Sequence, residues 1–380
     1  MKKLVKLGFL FAVMCCAGIF ISNWSIAAEQ EAAKPEPKVR SITKENLHGV
    51  IAPDDKNIWF VGNYGVIFHS SDGGETWNAQ KSGVNSLLID GVFLNAKTGW
   101  VAGISGIVLH TTDGGESWGK QKTNTDKNLF GICFVNDKKG WAVGEAGIII
   151  HTDDGGKTWT AQGEQQDKAL NNVAFVDENN GLIVGETGTM LRTIDGGKTW
   201  KPMVPKIFER ATIDEEIERP RQSLYGIAVK DKNTIVVCGI DSLFLRTADG
   251  GATWESYTAE GNLGVYSLFL MGDKGWAVGD RGALFVSSDV GKTWKLHQDA
   301  IKTGTWLRDV AFTSPDKGWA VGASDTVVST KDGGKTWDFR AGMYYTVKDF
   351  PVAKEITDKI FKPFTLFASL WRKLYPAQYE

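Results

Sequence analysis

One motif recurs along this chain at a nearly constant interval. It reads Ser/Thr-x-Asp-x-Gly-x-Ser/Thr-Trp and occurs seven times, with 41, 41, 41, 54, 40 and 43 residues between successive closing tryptophans. A period of about 40 residues built from short β-strands is typical of a propeller blade, because one four-stranded sheet cannot bury both of its faces alone. The sequence therefore predicts an all-β fold, a seven-bladed β-propeller with four-stranded blades. The closing tryptophans are Trp77, Trp118, Trp159, Trp200, Trp254, Trp294 and Trp337.

Each period contains the same four apolar or β-branched segments. In the third period they are residues 129–134, 140–144, 147–151 and 158–162, and Gly, Asn and Asp residues separate them. Short runs bounded by turn-forming residues are typical of antiparallel strands. We expect strands a to d in every blade, with strand a innermost, in a propeller that spans residues 38–343.

The aspartate of the motif is predicted to be structural. Its carboxylate can accept hydrogen bonds from nearby turn amides, and the glycines beside it supply positive φ angles. The tryptophan that follows is then anchored between sheets. Seven identical copies around a ring cannot converge on one substrate. The seven residues are Asp72, Asp113, Asp154, Asp195, Asp249, Asp289 and Asp332.

The first 28 residues have the pattern of an export signal. Lys2, Lys3 and Lys6 precede or open an apolar run over residues 7–21, and small residues allow cleavage after Ala27 or Ala28. The run is too short for a comfortable membrane span, although an uncleaved anchor is the alternative. The pattern predicts a periplasmic protein in which residues 29–37 form a polar linker.

Residues 344–380 follow the last repeat and differ from it in composition. Between residues 348 and 375, apolar and aromatic residues recur at steps of three and four among basic residues, as in an amphipathic helix. We expect a helical tail here. It would either pack against the propeller flank or lie on a membrane surface and dock a membrane partner.

The charge balance and the cysteines bear on possible partners and crosslinks. The chain has 43 basic and 45 acidic residues, and loss of three lysines with the signal makes it more acidic, so we expect no nucleic-acid partner. Cys133 and Cys238 fall two blades apart, too far for a disulfide. We expect two unpaired thiols in a protein that is monomeric on its own.

Binding residues are expected where the innermost strands begin. One alignment position there varies around the ring and carries mostly polar or aromatic side chains, whereas the motif tryptophan repeats. The b–c hairpins share this face with the only long insertion, residues 203–222, and elaborated loops commonly carry binding residues. The alternative is a solvated channel mouth without a ligand. The predicted partner-binding residues are His48, Asp90, Phe130, Asn171, Tyr225, Tyr266 and Arg308 on the strands, with Glu145, Glu186 and Arg281 on the hairpins.

Three histidines precede the motif in successive blades, and their repeated position raises the question of a metal site. His69, His110 and His151 occupy equivalent positions on strand c, so the angle between blades separates them. Zinc would need all three within about 2 Å of one point. We therefore expect packing residues at the blade edges, and no metal or other cofactor.

The alternation of a Gly-Trp-Ala-Val-Gly strand with an Asp-Gly-Gly-Lys-Thr-Trp turn resembles the photosystem II stability/assembly factor family. That family lies within the wider group of Asp-box (BNR-type) propellers, which includes sialidases. The resemblance covers residues 38–343 and implies a seven-bladed, exported, non-catalytic protein. In phototrophs, members of the family help to assemble a membrane complex by holding a newly made subunit.

The expected function is that of an assembly or scaffold factor that binds a membrane-protein partner. The alternatives are an accessory protein of an envelope transporter complex, a module that binds a small ligand, and a sialidase-like glycosidase. Sialidase chemistry needs three arginines for the substrate carboxylate, a Tyr–Glu pair and an acid. Here only Arg308 occupies the inner ring, with Arg281 nearby, so we expect no enzyme.

Overall fold

The computed structural model describes residues 46–164, 167–208 and 221–339. These residues form seven four-stranded antiparallel sheets, each with its strands in chain order. The innermost strands of consecutive blades pack on one another, and the first packs on the last, so the ring is closed. The predicted seven-bladed, four-stranded propeller is confirmed. The predicted signal, linker and tail lie outside the described residues.

The strands of each blade run from the inside of the ring to the outside. Blade 1 contains β1 (Leu47–Ile51), β2 (Ile58–Gly62), β3 (Ile67–Ser70) and β4 (Asn78–Gln80). Blade 2 contains β5 (Leu88–Phe93), β6 (Gly99–Gly103), β7 (Val108–Thr111) and β8 (Gly119–Lys120). Blade 3 contains β9 (Leu129–Phe134), β10 (Gly140–Gly144), β11 (Ile149–Thr152) and β12 (Thr160–Ala161). Blade 4 contains β13 (Leu170–Phe175), β14 (Gly181–Gly185), β15 (Met190–Thr193) and β16 (Lys201–Pro202).

The remaining three blades repeat this order. Blade 5 contains β17 (Leu224–Val229), β18 (Ile235–Gly239), β19 (Leu243–Thr247) and β20 (Glu255–Thr258). Blade 6 contains β21 (Val265–Met271), β22 (Lys274–Gly279), β23 (Leu284–Ser287) and β24 (Lys295–Leu296). Blade 7 contains β25 (Leu307–Phe312), β26 (Gly318–Gly322), β27 (Val327–Thr330) and β28 (Asp338–Phe339). Short 3-10 turns occupy Asn63–Gly65, Glu145–Gly147, Glu186–Gly188, Lys206–Phe208 and Asp280–Gly282.

Aromatic stacks hold neighbouring blades together. Trp100 on β6 stacks on Phe134 of β9 with ring centroids 3.7 Å apart, and the edge of Phe134 meets the motif tryptophan Trp159 at 5.9 Å. The same arrangement joins blades 1 and 2, blades 3 and 4, and blades 6 and 7. Each aromatic pair adds about 0.5–1.5 kcal/mol beyond the apolar area that it buries. Blade contacts of this kind form the core of the ring.

The motif aspartate joins the two ends of its own turn. In blade 3 the Thr152 hydroxyl donates to Asp154 at 2.8 Å, and the Thr158 amide and hydroxyl donate to the same carboxylate at 2.9 and 2.7 Å. The Gly156 amide donates in turn to Thr152 at 2.8 Å. The same four bonds recur in every blade. The threonine hydroxyl bond, with the amide bond, lowers the pKa of Asp154 to about 2.

Both cysteines in the described residues carry free thiols, as predicted. Burial raises the pKa of the Cys133 thiol to about 11 and that of Cys238 to about 12. A thiol reacts as its thiolate, so both groups are inert at neutral pH.

Candidate functional site at the mouth of the ring

Every innermost strand begins with the same irregularity. Its pairing with strand b skips one residue, a β-bulge that turns the extra side chain out of the ladder. The hairpins between strands b and c contact this end of the ring, because Glu145 and Asp280 accept hydrogen bonds from residues that directly precede an innermost strand. We call the seven bulged residues the ring mouth. They are His48, Ile89, Phe130, Asn171, Tyr225, Tyr266 and Arg308.

The register shows that one predicted residue, Asp90, does not hold the repeated position. Leu88 pairs with Gly103 as Leu47 pairs with Gly62, so Ile89 is the equivalent of His48. Asp90 lies one residue further along β5 and pairs with Ala102. The alignment failed because Gly91 follows Asp90 in the sequence, whereas glycine follows the bulged residue directly in blades 1, 3 and 5.

Three mouth residues from blades 5, 6 and 7 contact one another. The guanidinium carbon of Arg308 lies 5.3 Å from the ring centroid of Tyr266 and 5.7 Å from that of Tyr225. The two tyrosine rings meet edge to face at 5.4 Å. A cation over an aromatic face gains about 0.5–2 kcal/mol, depending on its exposure. The two rings thus hold the arginine at one side of the mouth.

The hairpin of blade 6 fixes the position of Tyr266. The Tyr266 hydroxyl donates to Asp280 at 2.7 Å, and the other oxygen of Asp280 accepts from the Gly264 amide at 2.9 Å. Burial and the Asp280 carboxylate raise the pKa of Tyr266, so the phenol keeps its proton. Asp280 therefore supports the tyrosine that contacts Arg308.

His48 lies beside Arg308 in the closed ring and is uncharged. Its Nε2 is 3.2 Å from Asn63 Oδ1, and its ring is 5.5 Å from that of Trp306. Burial, together with the positive charge of Arg308, lowers the pKa of His48 to about 4. On blade 4, the Asn171 amide donates to the Leu224 carbonyl of blade 5 at 2.8 Å. Both side chains are thus tied to the protein.

The three predicted hairpin residues differ in their contacts. Glu145 accepts from the Asn128 amide at 3.2 Å, and Glu186 accepts from the Ala169 amide at 3.0 Å. Both carboxylates thereby fasten a hairpin to the loop that enters the innermost strand. Arg281 is exposed at the tip of its hairpin, with a φ angle of 55°.

A second ring of residues lies one position further along the innermost strands. We call it the axial ring, and Asp90 belongs to it. Asp90 accepts from the Ile132 amide of blade 3 at 2.9 Å, while Asp309 accepts from the Val50 amide of blade 1 at 2.8 Å and from the Ser267 hydroxyl at 2.6 Å. These carboxylates therefore join neighbouring blades. The axial ring consists of Gly49, Asp90, Gly131, Asn172, Gly226, Ser267 and Asp309.

The two axial carboxylates ionise less readily than exposed ones. Burial, together with the Asp309 carboxylate, raises the pKa of Asp90 to about 7, against its hydrogen bonds from backbone amides and the charge of Arg308. Burial raises the pKa of Asp309, against its hydrogen bonds and the charge of Arg308. Arg308 is thus the positive charge that compensates both acids.

The three strand-c histidines pack within their own blades. His69 stacks on Trp59 at 4.1 Å, His110 stacks on Trp100 at 4.6 Å, and His151 is tilted against Trp141 at 4.9 Å. Each histidine therefore covers the tryptophan of the neighbouring strand b. Within residues 46–164, 167–208 and 221–339, no group of three or more His, Cys, Asp or Glu side chains could hold a metal ion. Among the same residues, no helix is long and apolar enough to cross a membrane.

Sequence comparison identifies the family. A family model described as the photosynthesis system II assembly factor YCF48 matches overlapping segments of this chain, residues 28–123, 77–165, 117–206, 163–256, 207–298 and 295–354. The chain belongs to the YCF48 assembly-factor family. No curated protein matches it by sequence.

Solved structures share the fold at low sequence identity. YCF48 bound to a D1 peptide is 21% identical, with a TM-score of 0.61, over 77% of this chain and 95% of that one. YCF48 from Cyanidioschyzon merolae is 20% identical, with a TM-score of 0.60, over 77% and 98%. A GH74 xyloglucanase from Xanthomonas campestris is 12% identical, with a TM-score of 0.64, over 79% of this chain and 55% of the enzyme. These likenesses show the propeller fold.

Proposed function

We propose that this chain is a non-catalytic assembly factor that holds a segment of a membrane-protein partner at the ring mouth. Two findings support the proposal. The chain belongs to the YCF48 family, and a YCF48 of the same fold binds a D1 peptide. The observation that carries it is the ring mouth, where one repeated backbone position presents seven side chains of six different types.

The composition of the ring mouth favours binding over hydrolysis. Arg308 is the only arginine among the seven mouth residues, and Glu145 and Glu186 are occupied by backbone amides. A sialidase-type site would need three arginines around one substrate carboxylate. The glycoside hydrolase that is 12% identical shares the propeller fold with this chain. A shared fold does not imply a shared activity, because activity depends on the residues of the site.

Export is part of the proposal. The charged and apolar pattern of residues 1–28 would place the propeller in the periplasm, and the basic, aromatic pattern of residues 348–375 would bring it to a membrane surface. The partner would then be met at the membrane, with the ring mouth and the tail as contact surfaces.

An affinity pull-down from detergent-solubilised membranes tests the proposal. The baits are the chain from residue 29, the same chain ending at Met343, and the double variant Arg308→Ala with Tyr266→Ala. Lys97→Ala is the matched control, because Lys97 lies in an a–b loop on the opposite face. We expect a membrane protein retained by the intact and control baits and lost with the double variant.

The retained protein also separates the alternatives. A subunit of a photosynthetic complex supports the assembly function of the family, and a transporter subunit supports the accessory alternative. Retention that is equal for the double variant would reject the ring mouth as the contact surface. Cleavage of a sialylated substrate by the purified chain would reject the non-catalytic assignment.

A further inference from the structure

The guanidinium of Arg308 has unused hydrogen-bonding capacity. It carries five N–H donors in a planar fork. Tyr225 and Tyr266 contact it through their ring faces, and no hydrogen bond or ion pair engages it among residues 46–164, 167–208 and 221–339. The two tyrosine rings therefore hold the arginine in place, while its N–H donors stay available to a ligand.

The carboxylates around Arg308 are already engaged elsewhere. Asp280 accepts from Tyr266 and from the Gly264 amide. Asp309 accepts from the amides of Val50 and Val310 and from Ser267. Asp90 accepts from the amides of Ile132 and Gly91. These acids are fixed by bonds within the fold, so none of them has to be displaced for another anion to reach the arginine.

The opposite side of the ring mouth is apolar. The bulged position carries Ile89 on blade 2 and Phe130 on blade 3, and both side chains are largely withdrawn from solvent. A peptide laid across the mouth would meet a cation on one side and two apolar side chains on the other. That combination fits a chain with a carboxylate next to an apolar residue.

We infer that the ring mouth binds a carboxylate carried by an extended peptide, with Arg308 as its anion-binding residue and Ile89 and Phe130 contacting an apolar side chain beside it. An arginine fork binds a carboxylate through two parallel hydrogen bonds, which fixes direction as well as charge. The inference rests on the proposed function, because it specifies the chemistry of the segment held.

Binding of a carboxylate at Arg308 should be coupled to the uptake of a proton. The positive charge of Arg308 lowers the pKa of Asp90, of Asp309 and of His48. A carboxylate bound to the arginine offsets that charge, so these pKa values should rise. The two tyrosines also face the arginine, the Cys238 thiol interacts with its charge, and Asp280 is bonded to one of the tyrosines. Asp90 titrates near neutrality, so it takes up a proton when the ligand binds, and affinity rises as the pH falls from about 8 to about 6.

The test uses acetylated alanine peptides that end in leucine. One has a free C-terminal carboxylate and one a C-terminal amide; a third is capped at both ends and contains one internal glutamate. Titration calorimetry against the chain from residue 29 compares wild type with Arg308→Gln, Arg308→Lys and the matched control Lys302→Gln, an exposed lysine in the loop before β25. A thermal melt verifies that each variant is folded.

We expect the free-carboxylate peptide to bind at least about tenfold more tightly than the amide, a preference that Arg308→Gln abolishes and Lys302→Gln retains. Arg308→Lys should keep part of it, and Asp90→Asn should flatten its pH dependence. Equal binding of the glutamate peptide would assign the site to side-chain carboxylates. Equal affinity for carboxylate and amide, normal binding by folded Arg308→Gln, or no saturable binding would overturn the inference. If membrane capture survives Arg308→Gln, the site is rejected while the proposed function stands.

Discussion

Asp309 of the last blade accepts a hydrogen bond from the backbone amide of Val50 in the first blade, 259 residues earlier in the chain, at 2.8 Å. This bond crosses the seam where the two ends of the propeller meet. Asp90 makes the equivalent bond to Ile132 between blades 2 and 3. The axial carboxylates therefore act as links between blades.

Removal of the seam link should weaken ring closure. Asp309→Ala leaves the Val50 amide and the Ser267 hydroxyl without their acceptor, and a buried donor without a partner costs about 1–3 kcal/mol. We expect a loss of that size in the free energy of unfolding, measured by urea denaturation. Asp299→Ala, an exposed loop position, is the control, and an equal effect in both variants would contradict the role of the seam bond.

Asp90 should make stability depend on pH. Its pKa is about 7 in the fold against about 4 in an unfolded chain, so the folded state binds more protons between these values. The contribution of Asp90 is therefore fully present below about pH 4 and is lost as the pH rises through 7. His48 acts in the opposite sense over part of this range, because its pKa is lowered.

A variant isolates the Asp90 contribution from that of the histidines. Asp90→Asn cannot ionise, so wild type should lose stability relative to it by about 1–2 kcal/mol between about pH 5 and about pH 8. Urea denaturation across that range measures the difference. Parallel pH curves for the two proteins would show that Asp90 does not titrate there.

A glutamine directly after strand d of blade 2 bridges blades 2 and 3. The Gln121 side chain accepts from the Trp159 indole at 3.1 Å and donates to the Gly155 carbonyl at 2.9 Å. Gln121→Met should leave a buried indole N–H without an acceptor and cost about 1–3 kcal/mol in urea denaturation.

Met203 offers the reciprocal experiment. It holds the equivalent position in blade 4, next to Trp254, whose indole nitrogen is buried without a hydrogen-bond partner within the described residues. Met203→Gln should therefore stabilise the propeller. Destabilisation by both substitutions would indicate that side-chain shape at this interface outweighs the hydrogen bond.

Val290 occupies a turn position where the other six blades have glycine. Its φ angle is 60°, a left-handed conformation that a β-branched residue adopts at a cost of about 1–2 kcal/mol. Val290→Gly should stabilise the chain by roughly 0.5–1 kcal/mol, because the flexibility of glycine offsets part of the gain. A higher thermal midpoint would verify this. The reverse change, Gly155→Val, should lower the midpoint, since Gly155 has a φ angle of 75°.

The repeat predicted the blades because it contains their backbone requirements. Strand b ends in glycine because a Cβ at Gly144 would collide with the Asn128 carbonyl, and the motif aspartate closes its turn through local hydrogen bonds. Such local requirements can be recognised in the amino-acid sequence. The positions of strands and turns followed from them.

The ring mouth could be predicted only in part. Position along the strand located six of its members, but blade 2 needed the pairing of Leu88 with Gly103 to show that Ile89, and not Asp90, is bulged. The contact of Arg308 with Tyr225 crosses from blade 7 to blade 5 and depends on side-chain reach. No repeat pattern contains such a contact, and Asp280 was missed as the support of Tyr266 for the same reason.

The odd number of blades limits how small and large residues can alternate in the axial ring. Small and large residues alternate from blade to blade, because a Cβ on Gly131 would lie 2.9 Å from the Asn172 Cα and one on Gly226 would lie 3.2 Å from the Ser267 Cα. A ring with an odd number of blades cannot alternate throughout, so at least one pair of neighbours must be of the same kind, and in this ring both are larger residues. They are Ser267 and Asp309, joined at 2.6 Å. That hydrogen bond stabilises the one place where two larger residues are neighbours. A ring of six or eight blades could alternate small and large residues without such a place.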